Sequence, residues 1–228
     1  MDARILSLCL MLQIFRATSQ EVLPPQNQLW VSYLSETSIA SSKISVNADL
    51  LEVPGAFLMA TAGGSYSLSS NFKLTAAYAQ LWFSKENPQK NIVEFRPYLQ
   101  MTSKYKWRKF DVLHRLRYEA RWTEHLVNDE QKIATTFKGR VRYFLQLKYP
   151  LFDIYHQKIY AFTANEVLFH LTKSISLDQE RWSGGIGIQS RDLTIQLAYM
   201  YRDKMNVSDT QNQVYNTVCV TLFHHIKI

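Results

Sequence analysis

Between residues 110 and 150 charged and apolar side chains alternate along the chain. Asp111, Arg115, Arg117, Glu119 and Arg121 stand at odd positions, with Val112, Leu116, Tyr118, Ala120 and Trp122 at even ones. A second run sets Lys138, Arg140, Arg142, Gln146 and Lys148 against Val141, Tyr143, Leu145, Leu147 and Tyr149. Side chains of a strand alternate between its two faces, so each run reads as a strand with its charge on one side and its apolar groups on the other. Helical spacing would scatter the same residues around the axis.

The same period marks segments 29–35, 43–50, 57–68, 73–83, 94–104, 160–171, 179–189, 193–202 and 214–223, which makes eleven strand candidates and no long helix. The alternation of 160–171 is blurred, which suggests a bulge near Asn165-Glu166. Gly63-Gly64 suggests a bend or a close backbone approach. Pro97 cannot donate a ladder hydrogen bond, so it is expected near a strand end or a bulge. Pro54-Gly55 marks a turn. The connectors at 69–71, 106–109 and 190–192 are tight, whereas 84–93, 123–137 and 203–213 are long and polar. Short and long connectors in alternation are the pattern of a membrane barrel with short periplasmic turns and longer outer loops. Bacterial single-chain barrels have even strand numbers. Counted back from the C-terminus, segment 29–35 would run the wrong way for a chain entering from the periplasm. The count therefore resolves to ten or twelve, with twelve preferred.

Composition narrows the setting. The chain has 228 residues, with 13 Tyr, 12 Phe and 5 Trp, enough for one large β domain. After residue 20 there is no apolar run of about 18 residues, so no transmembrane helix is available, but strands apolar on one side escape such a scan. The net charge of +7 is dispersed through the alternating segments, and no nucleic-acid-binding signature accompanies it. Residues 1–19 read as a secretory signal peptide: Arg4 at the start, an apolar stretch from Ile5 to Phe15, and Ala17-Thr18-Ser19 as a small-x-small cleavage site. Residues 20–228 would then be a single barrel domain. With Cys9 in the removed segment, Cys219 has no internal disulfide partner, and it reads as a small buried or outward residue of the last strand.

Alternation alone does not say which face is wet. Trp82, Trp107, Trp122, Tyr149, Trp182, Tyr199 and Tyr201 recur at segment ends, as the aromatic girdles of a membrane barrel require. Strands of about ten residues suit a tilted crossing of the hydrocarbon layer. Both point to an apolar outer face and a charged interior. The interior would hold Glu94, Arg96, Arg115, Arg117, Glu119, Arg121, Arg140, Arg142 and Glu166, together with Asp178. Bare charges in a dry interior cost several kcal/mol each, so these must pair, meet water or bind an anion.

The secreted start followed by Asn27-Gln28-Leu29-Trp30, then Glu94-Phe95-Arg96-Pro97, the Arg115-x-Arg117-x-Glu119-x-Arg121 strand, the strand ending Leu147-Lys148-Tyr149-Pro150, and Asn165-Glu166 together resemble the bacterial domain-of-unknown-function family 2490. The resemblance implies an outer-membrane β-barrel and carries no catalytic residues with it. Such barrels usually finish on an aromatic residue in the last strand; here the chain ends His224-His225-Ile226-Lys227-Ile228, which leaves that part to Phe223.

No catalytic chemistry stands out. The six histidines form no His-x-His or His-Glu-x-x-His, and His224-His225 point to opposite faces of a strand, so no metal site and no cofactor are expected. Gly184-Gly185-x-Gly187 lies in a strand pattern and opens no helix, so it cradles no phosphate. His125 with Glu124, Asp129 and loop hydroxyls could supply parts of a hydrolytic site. The expectation is an all-β, antiparallel transmembrane barrel of about ten to twelve strands in the bacterial outer membrane, not an enzyme. Its role would be structural or a narrow solute passage, with membrane lipid and small anionic solutes as partners and no nucleic acid. The alternatives are a membrane-embedded lipid-modifying hydrolase or acyltransferase, and a soluble secreted β-barrel binding protein. Oligomeric state is left open.

Overall fold

The computed structural model describes residues 21–22, 24–40, 42–84, 91–127, 132–171, 175–205 and 211–228; the signal-peptide reading of residues 1–19 lies outside them. The strands are β1 (Glu21–Val22), β2 (Gln26–Ser38), β3 (Ile44–Val53), β4 (Phe57–Ser67), β5 (Phe72–Phe83), β6 (Asn91–Trp107), β7 (Phe110–Val127), β8 (Lys132–Ile154), β9 (Gln157–Leu171), β10 (Ile175–Gln189), β11 (Leu193–Lys204) and β12 (Gln211–Lys227). Each alternating segment of the sequence coincides, to within one residue at its ends, with part of one of β2 to β12. Every sequential pair from β2 to β12 is antiparallel.

The sheet closes on itself where β2 pairs with β12, in parallel, from Tyr215↔Gln26 to Lys227↔Ser38. The two-residue β1 continues the same edge of β12 beyond Pro24-Pro25, which have no amide hydrogen to offer a ladder. The barrel wall thus has eleven strands, neither ten nor twelve. Segment 29–35 does run against the direction an even-stranded barrel would need, and a parallel seam absorbs it. One rim carries the turns 68–71, 108–109, 155–156 and 190–192, the end of β2 and the C-terminus; we call it the turn rim. The other, the loop rim, carries the turn 54–56, the ends of β5, β7, β9 and β11 and the starts of β2, β6, β8, β10 and β12.

The barrel is inverted relative to a soluble protein. On β11, Leu193, Ile195, Leu197, Tyr199 and Tyr201 are exposed, while Thr194, Gln196, Ala198, Met200 and Arg202 are buried. Polar residues outnumber apolar ones among the buried positions, and Trp82, Trp107, Trp122, Tyr149, Trp182, Tyr199 and Tyr201 all stand on the exterior. Trp107 and Tyr149 lie toward the turn rim, Trp82, Trp122 and Tyr201 toward the loop rim, and Trp182 and Tyr199 near the middle of their strands. No described helix is long and apolar enough to cross a membrane, which says nothing of a β-barrel.

Several local expectations need correction. Much of 123–137 is ladder: β7 reaches Val127, and Thr123↔Thr136 through Leu126↔Ile133 are paired. Polar side chains mark solvent there without breaking the strands. No bulge occurs at Asn165-Glu166, since β9 keeps one register through both residues. Its alternation is blurred because its inward face carries Tyr160, Phe162, Ala164 and Leu168 beside Glu166. The bulge is across the ladder, at Asp178 between Leu177 and Gln179, and it turns Asp178 and Gln179 both inward. Pro97 sits well inside β6. The β6–β7 ladder skips it and Arg96 and resumes at Tyr98↔Glu119 with no register change. Phe223 lines the interior and does not stand on the outer belt. Gly63 does mark a close approach: a Cβ there would collide with Ala77 and stand 2.6 Å from the Ala76 carbonyl oxygen.

Candidate functional site: the charged lumen

One continuous cavity of ≈ 2080 Å³ occupies the interior, reaching Asn71 and Lys106 at the turn rim and Pro54, Gly55 and Met205 at the loop rim. Its two sides differ. β6 to β10 present charge. β3 to β5 present small groups, Ser45, Thr61, Ser65, Thr75 and Ala79 among them, and toward the loop rim the apolar Leu51, Phe57, Met59, Leu81 and Phe83.

The charged side is a ladder of arginines threaded through four buried carboxylates. Inward positions on neighbouring antiparallel strands lie close enough for long side chains to meet across the ladder. Glu94 of β6 accepts from Arg96 Nε at 2.8 Å, from Arg121 Nε and Nη2 at 2.8 Å each, and from the Thr123 hydroxyl at 2.9 Å. Glu119 of β7, with no exposed surface, accepts from Arg140 Nε at 2.8 Å and Arg142 Nη1 at 2.9 Å. Arg117 Nη1 approaches the same carboxylate to 3.6 Å. Glu166 of β9 accepts from Arg115 at 2.9 Å, Arg142 at 2.8 Å and Arg181 at 2.9 Å. Asp178, turned inward by the bulge, meets Arg140 Nη1 at 3.3 Å and His170 Nε2 at 3.1 Å.

Arg140 and Arg142 link the clusters of Glu119, Glu166 and Asp178, and Arg96, whose Nε lies 4.0 Å from Glu119, brings in that of Glu94. Arg142 binds Glu119 with one nitrogen and Glu166 with another, and Arg140 joins Glu119 to Asp178. Planar guanidinium groups can serve two carboxylates at once; ammonium groups lack that fork. Arg117 is held further by Gln100, to whose Oε1 its Nε donates at 2.8 Å, and by the Tyr98 ring 4.0 Å from its carbon. Seven arginines share four carboxylates, so the ladder keeps a positive excess.

Glu94, Arg96, Arg115, Arg117, Glu119, Arg121, Arg140, Arg142 and Glu166 all lie in this one network. Sequence reasoning missed the contributions of Arg181, His170 and Gln100. Arg181 stood on the polar side of an alternating segment and was legible. Asp178 lies out of phase with Arg181, and only the bulge reconciles the two.

The remaining lumen charge is also basic. Fourteen Lys and Arg line the cavity against six carboxylates, with Glu119 sealed behind the arginines as a seventh. Among the described residues the lining Lys104, Lys138, Lys148, Arg202 and Lys204 have no carboxylate within ion-pair distance. Lys104 and Lys148 lie toward the turn rim, Arg202 and Lys204 toward the loop rim. Lys73 is paired, to Glu36 at 2.7 Å.

Among the described residues the parts of a hydrolytic site are not gathered. His125 meets the Thr136 hydroxyl at 3.4 Å, Glu124 is on the opposite face of β7, and Asp129 lies outside the described residues. Among the described residues no group of three or more His, Cys, Asp or Glu converges as metal ligands. Cys219 is a free thiol that lines the cavity beside Tyr160, Phe162 and Ala198.

No curated protein and no solved structure matches the chain significantly. A family model described as a protein of unknown function, DUF2490, matches residues 27–213. The match begins in the strand that forms the parallel seam, ends in the strand it pairs with, and includes the whole charged ladder; the chain therefore belongs to the DUF2490 family.

Proposed function

We propose that this protein is a bacterial outer-membrane barrel whose lumen admits small anionic solutes. The inverted wall supports the location. An exterior of Leu, Ile, Val and aromatic side chains is costly in water and suits a hydrocarbon layer. Exposed apolar surface this continuous is far beyond the patches that soluble monomers carry.

The observation that carries the solute reading is the cation excess around one cavity reaching both rims. A lumen of one sign with low-dielectric walls concentrates counter-ions. Unpaired lysines toward the turn rim and unpaired Arg202 and Lys204 toward the loop rim would draw anions from either side. The ladder between them supports a second role, as a brace. Its carboxylates are satisfied by arginines from neighbouring strands, which ties β6 to β10 together around a lumen wider than side chains alone would fill.

Planar-bilayer recording across a potassium chloride gradient tests the proposal. Discrete conductance with a reversal potential on the chloride side is expected. Cation selectivity, or an inserted barrel with no conductance, would overturn the passage and leave the brace.

A further inference from the structure

Arg202 is the one buried side chain among the described lumen cations that have no carboxylate partner. It is 9% exposed. Its Nη2 donates to Gln28 Oε1 at 3.0 Å, and its Nε is buried with no hydrogen-bond partner. No carboxylate pairs with it among the described residues; Asp178, the acid of the adjacent strand, is taken by Arg140 and His170. Two rings flank it, Tyr215 at 3.8 Å and Trp30 at 5.4 Å. A buried cation without a counter-ion is costly, and aromatic faces repay only part of that cost.

Trp30 continues away from the charge into grease. Its ring meets Phe57 at 6.4 Å, and Phe57 meets Phe83 at 6.2 Å, both edge-on. Met59, Leu51 and Leu81 extend the same patch. A second inward apolar cluster, of Tyr160, Phe162 and Ala198, is packed within itself, whereas this patch begins where the unpaired guanidinium ends. Arg181 also faces Trp30, at 5.2 Å, but Glu166 already neutralises it.

We infer that Arg202, Trp30, Phe57 and Phe83 form a binding site for amphipathic anions, compounds with one anionic head on an apolar body. The head would take the free side of the Arg202 guanidinium, and the body would lie along Trp30, Phe57 and Phe83. The inference rests on the reading of the lumen as open to anionic solutes and adds the class of solute. Simple inorganic anions would satisfy the charge but leave the apolar patch wet.

The test is a titration of the full chain, in an uncharged maltoside detergent, with 1-naphthoate, following tryptophan fluorescence and isothermal heat. The neutral 1-naphthalenemethanol and the bare head acetate serve as controls. Naphthoate is expected to bind at least tenfold more tightly than either control. Arg202→Gln should lose at least tenfold in naphthoate affinity and bring it down to that of the neutral analogue. Arg202→Lys should recover part of the loss. Trp30→Leu should weaken naphthoate binding without changing the acetate response. Fold is checked independently by gel mobility of unboiled samples. Equal binding of naphthoate and its neutral analogue, or unchanged affinity in a folded Arg202→Gln, would overturn the site. Chloride-selective conductance without naphthoate binding would sink this inference alone. Loss of both would sink the passage reading as well.

Discussion

At the scale of single residues the interior is governed by what a buried charge demands. Glu119 is sealed from solvent and holds Arg140 and Arg142 by hydrogen bonds of 2.8 and 2.9 Å. Glu119→Gln keeps the shape and removes the charge, leaving two buried guanidinium groups under-compensated. Breaking buried pairs this way costs about 3–5 kcal/mol. The barrel should still assemble, with its urea unfolding midpoint clearly lowered; an unchanged midpoint would mean that water already screens the ladder. Of the ladder's eleven charged residues all but Arg181 were expected in the interior, most of them because period-two spacing puts them on one face. Arg202 and Trp30 were not legible as a pair. They lie on strands far apart in the chain, and nothing in β2 announces that its Trp faces inward.

At the scale of elements, alternation located every strand of the barrel wall but not the two-residue β1, since a half-buried strand has no other way to sort its side chains. It could not locate the seam. Pairing of β2 with β12 joins residues nearly two hundred positions apart, and no local pattern encodes whether such a pair is parallel. Counting strands under the even-number rule therefore gave the wrong closure, although eleven segments were visible. The bulge at Asp178 was hidden for a related reason, because a bulge appears in sequence only as a slip in phase. The seam itself is testable through a native thiol. Cys219 stands directly opposite Trp30. Neighbouring strands are about 4.8 Å apart, within the Cα range a disulfide accepts. Trp30→Cys should cross-link to Cys219 under mild oxidation and migrate faster on a non-reducing gel. A failure to cross-link in the folded barrel would contradict the parallel register.

At the scale of the whole molecule, an odd strand number separates the chain ends. The start of β2 lies at the loop rim and the end of β12 at the turn rim. In a membrane the two ends would face opposite compartments, unlike an even-stranded barrel. Epitope tags placed before Gln26 and after Ile228 should therefore differ in intact cells, with antibody reaching only one of them. Equal access would mean that the seam is antiparallel or that a further crossing exists. The outward placement of the Trp and Tyr side chains and the apolar exterior were foreseeable from the alternation. The cavity's division into a charged and an apolar side was not, because it depends on which strands closure brings face to face.

The central claim is a closed barrel with its apolar face outward in a membrane. Gel mobility of the detergent-extracted protein, boiled against unboiled, tests it most directly. The account predicts an outer-membrane fraction whose unboiled band migrates apart from the boiled one, because a closed strand ladder resists the detergent of the gel until heated. A protein found in the soluble fraction, with one band regardless of heating, would contradict it.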